Sequence, residues 1–256
     1  MSLQRNIKLL LAFDGTAYAG WQKQKSAKTI QGIIEDKLQI MTGVESCLHG
    51  AGRTDAGVHA YGMAANFHTE ANIPCQGFVK GLNSMLPTDI RILEACEVEA
   101  DFHARCSAKT KTYWYNFSYG PVQLPTKRLY SYHIFEELDI VAMQNSLGYL
   151  QGTHDFSSFE GSGSRNLELN GRGAVRTIHD ASLETLGAGD KYRFIVTGDG
   201  FLRHMVRNIV GTIFEVGKGK LAQSDVGVIL AAKDRSAAGP TAPANGLFLK
   251  EIFYSS

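Results

Sequence analysis

Apolar positions along the chain recur at two distinct spacings, and the switches between them mark the elements. "IKLLLAFDG" is a strand, with Gly15 and Gly20 in the loop after it. "TIQGIIEDKLQIMTG" carries Ile30, Ile33, Ile34, Leu38 and Met41 at helical spacing, with Thr29 as the cap and Gly43 as the stop. "ESCLHGAG" and "YGMAANFHTE" read as two strands on either side of a glycine-rich loop. "PCQGFVKGLNSML" is a short helix that ends before Pro87, and "DIRILEACEVEA" is a further strand. The order is β-α-β-β-α-β.

The second half has a similar rhythm. "TKTYWYNFSYG" alternates aromatic and polar residues, as a half-buried strand does. "DIVAMQNSLGYLQG" is a helix ending near Gly152. "AVRTIHDASLETLG" and "DKYRFIVTGDG" form a hairpin across "GAGD". "FLRHMVRNIVGTIFEVG" and "SDVGVILAAKD" are helices, and "GLFLKEIFY" closes the chain as a strand. The pattern predicts an α+β protein. Two pseudo-symmetric β-α-β-β-α-β halves, 1–103 and 104–256, form largely antiparallel sheets with helices packed on one face. "FEGSGSRNLELNGRGAVR" is Gly/Ser-rich and predicts a mobile surface loop, and "SAAGPTAPANG" is a second irregular segment.

Composition narrows the classes. The 256 residues are 44% hydrophobic and 20% charged, ordinary for a globular chain. No apolar run reaches membrane-spanning length, and the N-terminus reads as a strand rather than a signal peptide. Cys47, Cys75, Cys96 and Cys106 contain no CxxC pair, which argues against zinc and fits reduced thiols in a cytoplasm. There is no HExxH pair either, so no metal is expected. A net charge of +1 neither favours nor excludes nucleic acid; RNA binding would need a local basic surface.

The chemistry concentrates in "GAGRTDAGVHA", residues 50–60. Its glycines miss the dinucleotide fingerprint, because Asp55 stands where the last glycine is needed. The phosphate loop's Gly-Lys-Ser/Thr is absent, and a carboxylate repels phosphate, so no nucleotide cofactor is expected. Asp-Ala-Gly by itself fits an ordinary turn. A bare loop also lets a large flat substrate approach a carboxylate, with an arginine two residues away for phosphate or base.

The longer string decides between these. "GRTDAGVHA" resembles the signature of the tRNA pseudouridine synthase A family. "FDGTAYAGWQKQ", "DFHARCSAKTKTYWY", "DFSSF", "HMVRNIVG" and "LAAKDR" follow that family's pattern in the same order. The resemblance implies isomerisation of uridine to pseudouridine at positions 38, 39 and 40 of the tRNA anticodon arm, with no cofactor or metal. It places the catalytic carboxylate at Asp55, which attacks C1′ or the uracil ring, or removes a sugar proton. Arg207 falls where a cation would keep that carboxylate ionised beneath a base. Tyr113 falls on the active-site tyrosine, able to stack on the flipped uracil. Arg53 falls on the arginine that helps expel the target base. His59 is read as structural, and Asp14 and Trp21 as parts of a loop that shapes the cleft.

The resemblance also implies a cytoplasmic homodimer with tRNA as its partner. Candidate RNA contacts are Lys23, Lys25 and Lys28; Arg105, Lys109 and Lys111; Lys127 and Arg128; and Arg172 and Arg176. Met63-Ala64 and the stretch Lys109–Thr112 depart from the family's usual residues, which bears on RNA affinity more than on catalysis. A related synthase with another RNA target is the near rival. A binding protein that has lost catalysis is the distant one, because such a chain has no need to keep Asp55, Tyr113 and Arg207.

Overall fold

A computed structural model describes residues 4–161, 172–187 and 191–255. Among them are ten strands and five α-helices, with mostly antiparallel pairing, as an α+β chain requires. The chain folds as two compact units, Met1–Lys109 with Phe248–Ser256, and Thr110–Leu247. The first boundary falls just inside a strand, six residues beyond the division at 103/104 read from the sequence.

The first unit contains β1 (Arg5–Phe13), α1 (Ile30–Thr42), β2 (His49–Gly50), β3 (His59–Thr69), α2 (Cys75–Met85), β4 (Ile90–Val98) and most of the last strand, Leu247–Tyr254. β1 lies between β4 and β3, antiparallel to both, and the last strand runs parallel to β3. Alternation explains the sidedness of β1. Ile7, Leu9, Leu11 and Phe13 are all buried, each such side chain contributing about 1.5–3 kcal/mol. α1 has the caps its sequence predicts: Thr29 accepts the Gly32 N–H, and Gly43 ends the helix in the left-handed region at φ 77°. The α1–α2 contact is tight, since a Cβ on Gly81 would lie 2.5 Å from Met41 Cε. Phe78 of α2 meets Phe67 of β3 edge to face, with centroids 5.3 Å apart.

The stretch "ESCLHGAG" is not the full strand expected. Only His49 and Gly50 pair with β3 as a strand. Just before them the Leu48 N–H is taken by the Glu35 carboxylate of α1, so a side chain replaces the ladder.

The second unit holds β5 (Ala108–Tyr119), which begins at the end of the first unit, then β6 (Tyr132–Ile134), α3 (Ile140–Ser146), β7 (Gly152–Asp155), β8 (Val175–Thr185), β9 (Lys191–Gly198), α4 (Met205–Gly217) and α5 (Asp225–Ala232); the last strand is β10. Its sheet order is β5-β9-β8-β7, antiparallel throughout, with β6 parallel to β5. The hairpin β8–β9 is present, and β6 and β7 are additions to the sequence reading. The helix expected over 139–152 is α-helical only to Ser146 and tightens to a 3-10 turn over Leu147–Leu150. The helix expected from Phe201 begins instead at Met205, because His204 takes a left-handed φ of 60° and breaks the run. Residues 162–171 of the Gly/Ser-rich stretch, and 188–190 of "GAGD", lie outside the described residues.

Candidate active site

Within the first unit, residues 51–58 form an irregular loop between β2 and β3. The Val58 N–H donates to the Asp55 carbonyl at 3.2 Å, closing a turn over Asp55–Val58. Gly57 stands third in that turn at φ 79°, a conformation open to glycine at little cost. Asp55 is half-buried and Arg53 is exposed. The Thr54 hydroxyl beside Asp55 is buried and has no hydrogen-bond partner among the described residues.

The loop after β1 supports this turn through close backbone approach. Gly20, at φ 95°, is so near that a Cβ there would lie 2.5 Å from the Thr54 carbonyl oxygen. A Cβ on Gly15 would lie 1.9 Å from the Val58 oxygen, and one on Gly50 would lie 2.5 Å from the Trp21 ring. The Trp21 N–H donates to the Thr54 carbonyl at 3.1 Å, and the Gly57 N–H to the Tyr18 carbonyl at 3.4 Å. Tyr18 is itself anchored by its phenol, which donates to Asp89. Burial, then that carboxylate, pushes its pKa far above the usual phenol range. "FDGTAYAGW" is therefore a scaffold for the Asp55 turn, with buried Trp21 as its wedge.

His59 is buried and stacks on Phe248. Its Nδ1 lies 3.1 Å from both the Gly15 N–H nitrogen and Asp14 Oδ1. An unprotonated Nδ1 accepts from Gly15, whereas a protonated one donates to Asp14, so the proton selects the partner.

Tyr113 and Arg207 belong to the second unit. Tyr113 and Tyr115 share one side of β5, and both are buried. Tyr113 meets Phe201 edge to face at 5.1 Å. Tyr115 donates its hydroxyl to the Pro243 carbonyl at 2.8 Å. Burial drives its pKa well up, reinforced by Tyr132 and opposed by the charge of Arg207. Arg207 is half-buried on α4, and Ala242 clasps it twice. Its Nε donates to the Ala242 carbonyl at 2.7 Å, and its own carbonyl accepts the Ala242 N–H at 3.0 Å.

That clasp depends on residues the sequence reading did not single out for a role. A Cβ on Gly211 would lie 1.7 Å from the Pro240 oxygen, so only a glycine lets the 238–243 segment reach α4. Asn208, fully buried, accepts from Arg235 and Thr241 and donates to the Phe159 carbonyl. Thr212 accepts the Gly239 N–H. An asparagine and a threonine at i and i+4 inside an apolar helix were the available signal: buried polar groups require partners.

A model of the family described as tRNA pseudouridine synthase matches residues 10–106 and 147–255. The chain belongs to that family. Among its relatives, tRNA pseudouridine synthase A 1 of Desulfotalea psychrophila is 55% identical over 251 residues, covering 98% of this chain and 100% of that one. tRNA pseudouridine synthase A of Acetivibrio thermocellus is 48% identical, again over 98% and 100%. The Caldicellulosiruptor saccharolyticus protein of the same name is 47% identical over the same shares. The matched blocks contain the Asp55 turn with its supporting loop, and all of α4 with the segment that clasps Arg207.

Several basic residues considered for an RNA contact have partners in this synthase fold. Lys23 pairs with Glu35 at 3.1 Å, and Lys28 stands over the Tyr18 ring, 4.6 Å from its centroid. Arg172 pairs with Asp199 at 2.5 Å. Arg105, Lys109, Lys127 and Arg128 are exposed. No helix among the described residues is long and apolar enough to cross a membrane.

Proposed function

We propose that the chain isomerises uridine to pseudouridine at positions 38, 39 and 40 of the tRNA anticodon arm. Asp55 is the catalytic carboxylate. The observation that carries this reading is the Asp55 turn itself, a half-buried carboxylate on glycine-bearing backbone inside a block that matches the tRNA pseudouridine synthase family. End-to-end similarity to relatives named tRNA pseudouridine synthase A supports tRNA as the substrate.

The isomerisation balances without any added group. The bond from C1′ to the ring nitrogen breaks, the base turns, and a bond from C1′ to C5 forms. The C5 proton leaves and the freed nitrogen gains one. Asp55 acts on the sugar or the ring, and an ionised carboxylate under a base calls for a nearby cation, the role assigned to Arg207. Tyr113 is assigned to the flipped uracil by stacking, and Arg53 to displacing the base, a step that costs a few kcal/mol of unstacking. The chain works as a cytoplasmic homodimer in this reading.

The test is tritium release from tRNA labelled at C5 of uracil, with wild type and Asp55→Ala side by side. The expected result is release by wild type, mapped to positions 38–40, and none by the variant, with tRNA binding kept. Near-normal turnover by Asp55→Ala would end the carboxylate assignment.

A further inference from the structure

We propose that Gln31 and Glu35, one turn apart on α1, are positioning residues that set the geometry of the Asp55 turn; the proposal rests on the isomerase reading above. Glu35 is 9% exposed, and both its oxygens are used. Oε1 accepts the Leu48 N–H at 3.0 Å and the Gln31 side-chain N–H at 2.9 Å. Oε2 pairs with Lys23 Nζ at 3.1 Å. Gln31 completes the arrangement, donating to the Leu48 carbonyl at 3.1 Å and accepting the Lys23 backbone N–H at 2.9 Å. Two side chains of one helix therefore hold both backbone polar groups of Leu48 and both ends of Lys23. The Lys23 stem lies against α1 as well, its Cγ 3.5 Å from where a Cβ on Gly32 would be.

These two anchored points flank the turn. Leu48 stands two residues before Gly50, on which the Trp21 ring presses. Lys23 stands two residues after Trp21, whose N–H holds the Thr54 carbonyl, one residue before Asp55. The Gln31 N–H also donates to the Trp21 carbonyl at 3.0 Å. A rigid helix thus fixes both approaches to Asp55 without touching it through these bonds. Burial alone does not call for a carboxylate here. Well-packed apolar residues often replace buried ionic groups at no cost in stability, whereas directional bonds specify where Leu48 and Lys23 stand. A displacement of about 1 Å in a reacting group can cost about 10²-fold in rate.

The experiment compares Glu35→Ala, Glu35→Gln and Gln31→Ala with wild type in the full chain. It measures single-turnover tritium release, tRNA Kd and urea unfolding, with rates expressed per folded molecule. Glu35→Ala is expected to lose at least about tenfold in rate with Kd within about twofold. Glu35→Gln keeps an acceptor for the Leu48 N–H and should recover most of that loss. Gln31→Ala, at a half-buried position, covers the case in which Glu35→Ala does not fold, and should lose severalfold in rate. Wild-type rates in Glu35→Ala and Gln31→Ala would overturn the proposal while leaving the isomerase reading intact. A weakened Kd with an unchanged rate would overturn it too, assigning the pair to RNA binding through Lys23. No release by wild type would remove the isomerase reading and this proposal together.

Discussion

Gly211→Ala sets two known effects against each other. On helix propensity alone the change should stabilise α4 by up to about 1 kcal/mol. The tertiary structure reverses the sign. The new methyl would lie 1.7 Å from the Pro240 oxygen, 2.9 Å from its carbonyl carbon and 3.2 Å from the Ala242 nitrogen. Ordinary C···O contact begins at about 3.3 Å, so the backbone must withdraw by roughly 1.6 Å. No flexible side-chain end is present to absorb this. Overpacking a buried site costs about 1–3 kcal/mol, and the clasp of Ala242 on Arg207 adds two hydrogen bonds of about 1 kcal/mol each that the withdrawal strains. The net expectation is destabilisation by about 1–3 kcal/mol, read in urea melts. Displacing Arg207 by about 1 Å should also lower single-turnover tritium release by about 10²-fold per folded molecule. A variant as stable as wild type and fully active would refute both the close-approach argument and the role of the clasp.

Thr54→Val exchanges a buried hydroxyl without a described partner for a methyl of the same shape. Stability should hold or rise by up to about 1 kcal/mol; a loss of more than about 1 kcal/mol in urea would show that the hydroxyl is engaged. His49 carries a pKa below the ordinary imidazole value, through burial first, then the charges of His103 and His68, with Glu35 opposing. The folded chain thus releases a proton that the unfolded chain keeps, so stability should fall as pH drops below about 6.5. His49→Gln should flatten that acid limb in melts run from about pH 5 to 7, and equal slopes for both proteins would count against the assignment.

Much of the local structure was legible because its causes are local. The spacing of Ile30, Ile34 and Leu38, with Thr29 and Gly43 at the ends, determined α1 and its caps. Alternation determined β1 and β5, and the string around Asp55 identified the family before any geometry was known. The residues proposed to act, Asp55, Arg53, Tyr113 and Arg207, were all named from the sequence. What held them in place was not. Gly15, Gly20 and Gly211 look like loop or helix glycines in one dimension; their need for bare backbone comes from Val58, Thr54 and Pro240, residues distant in the chain.

The Glu35 side chain that replaces a strand ladder at Leu48 has the same origin. Periodicity reports which face of an element is apolar, since burial acts on each residue separately. It is silent on which distant backbone a buried carboxylate or a missing Cβ will meet, because a directional bond or a steric contact exists only once two segments are brought together. The chain therefore determined most of its elements and its family by itself, and tertiary contact alone decided how the residues proposed to act are supported.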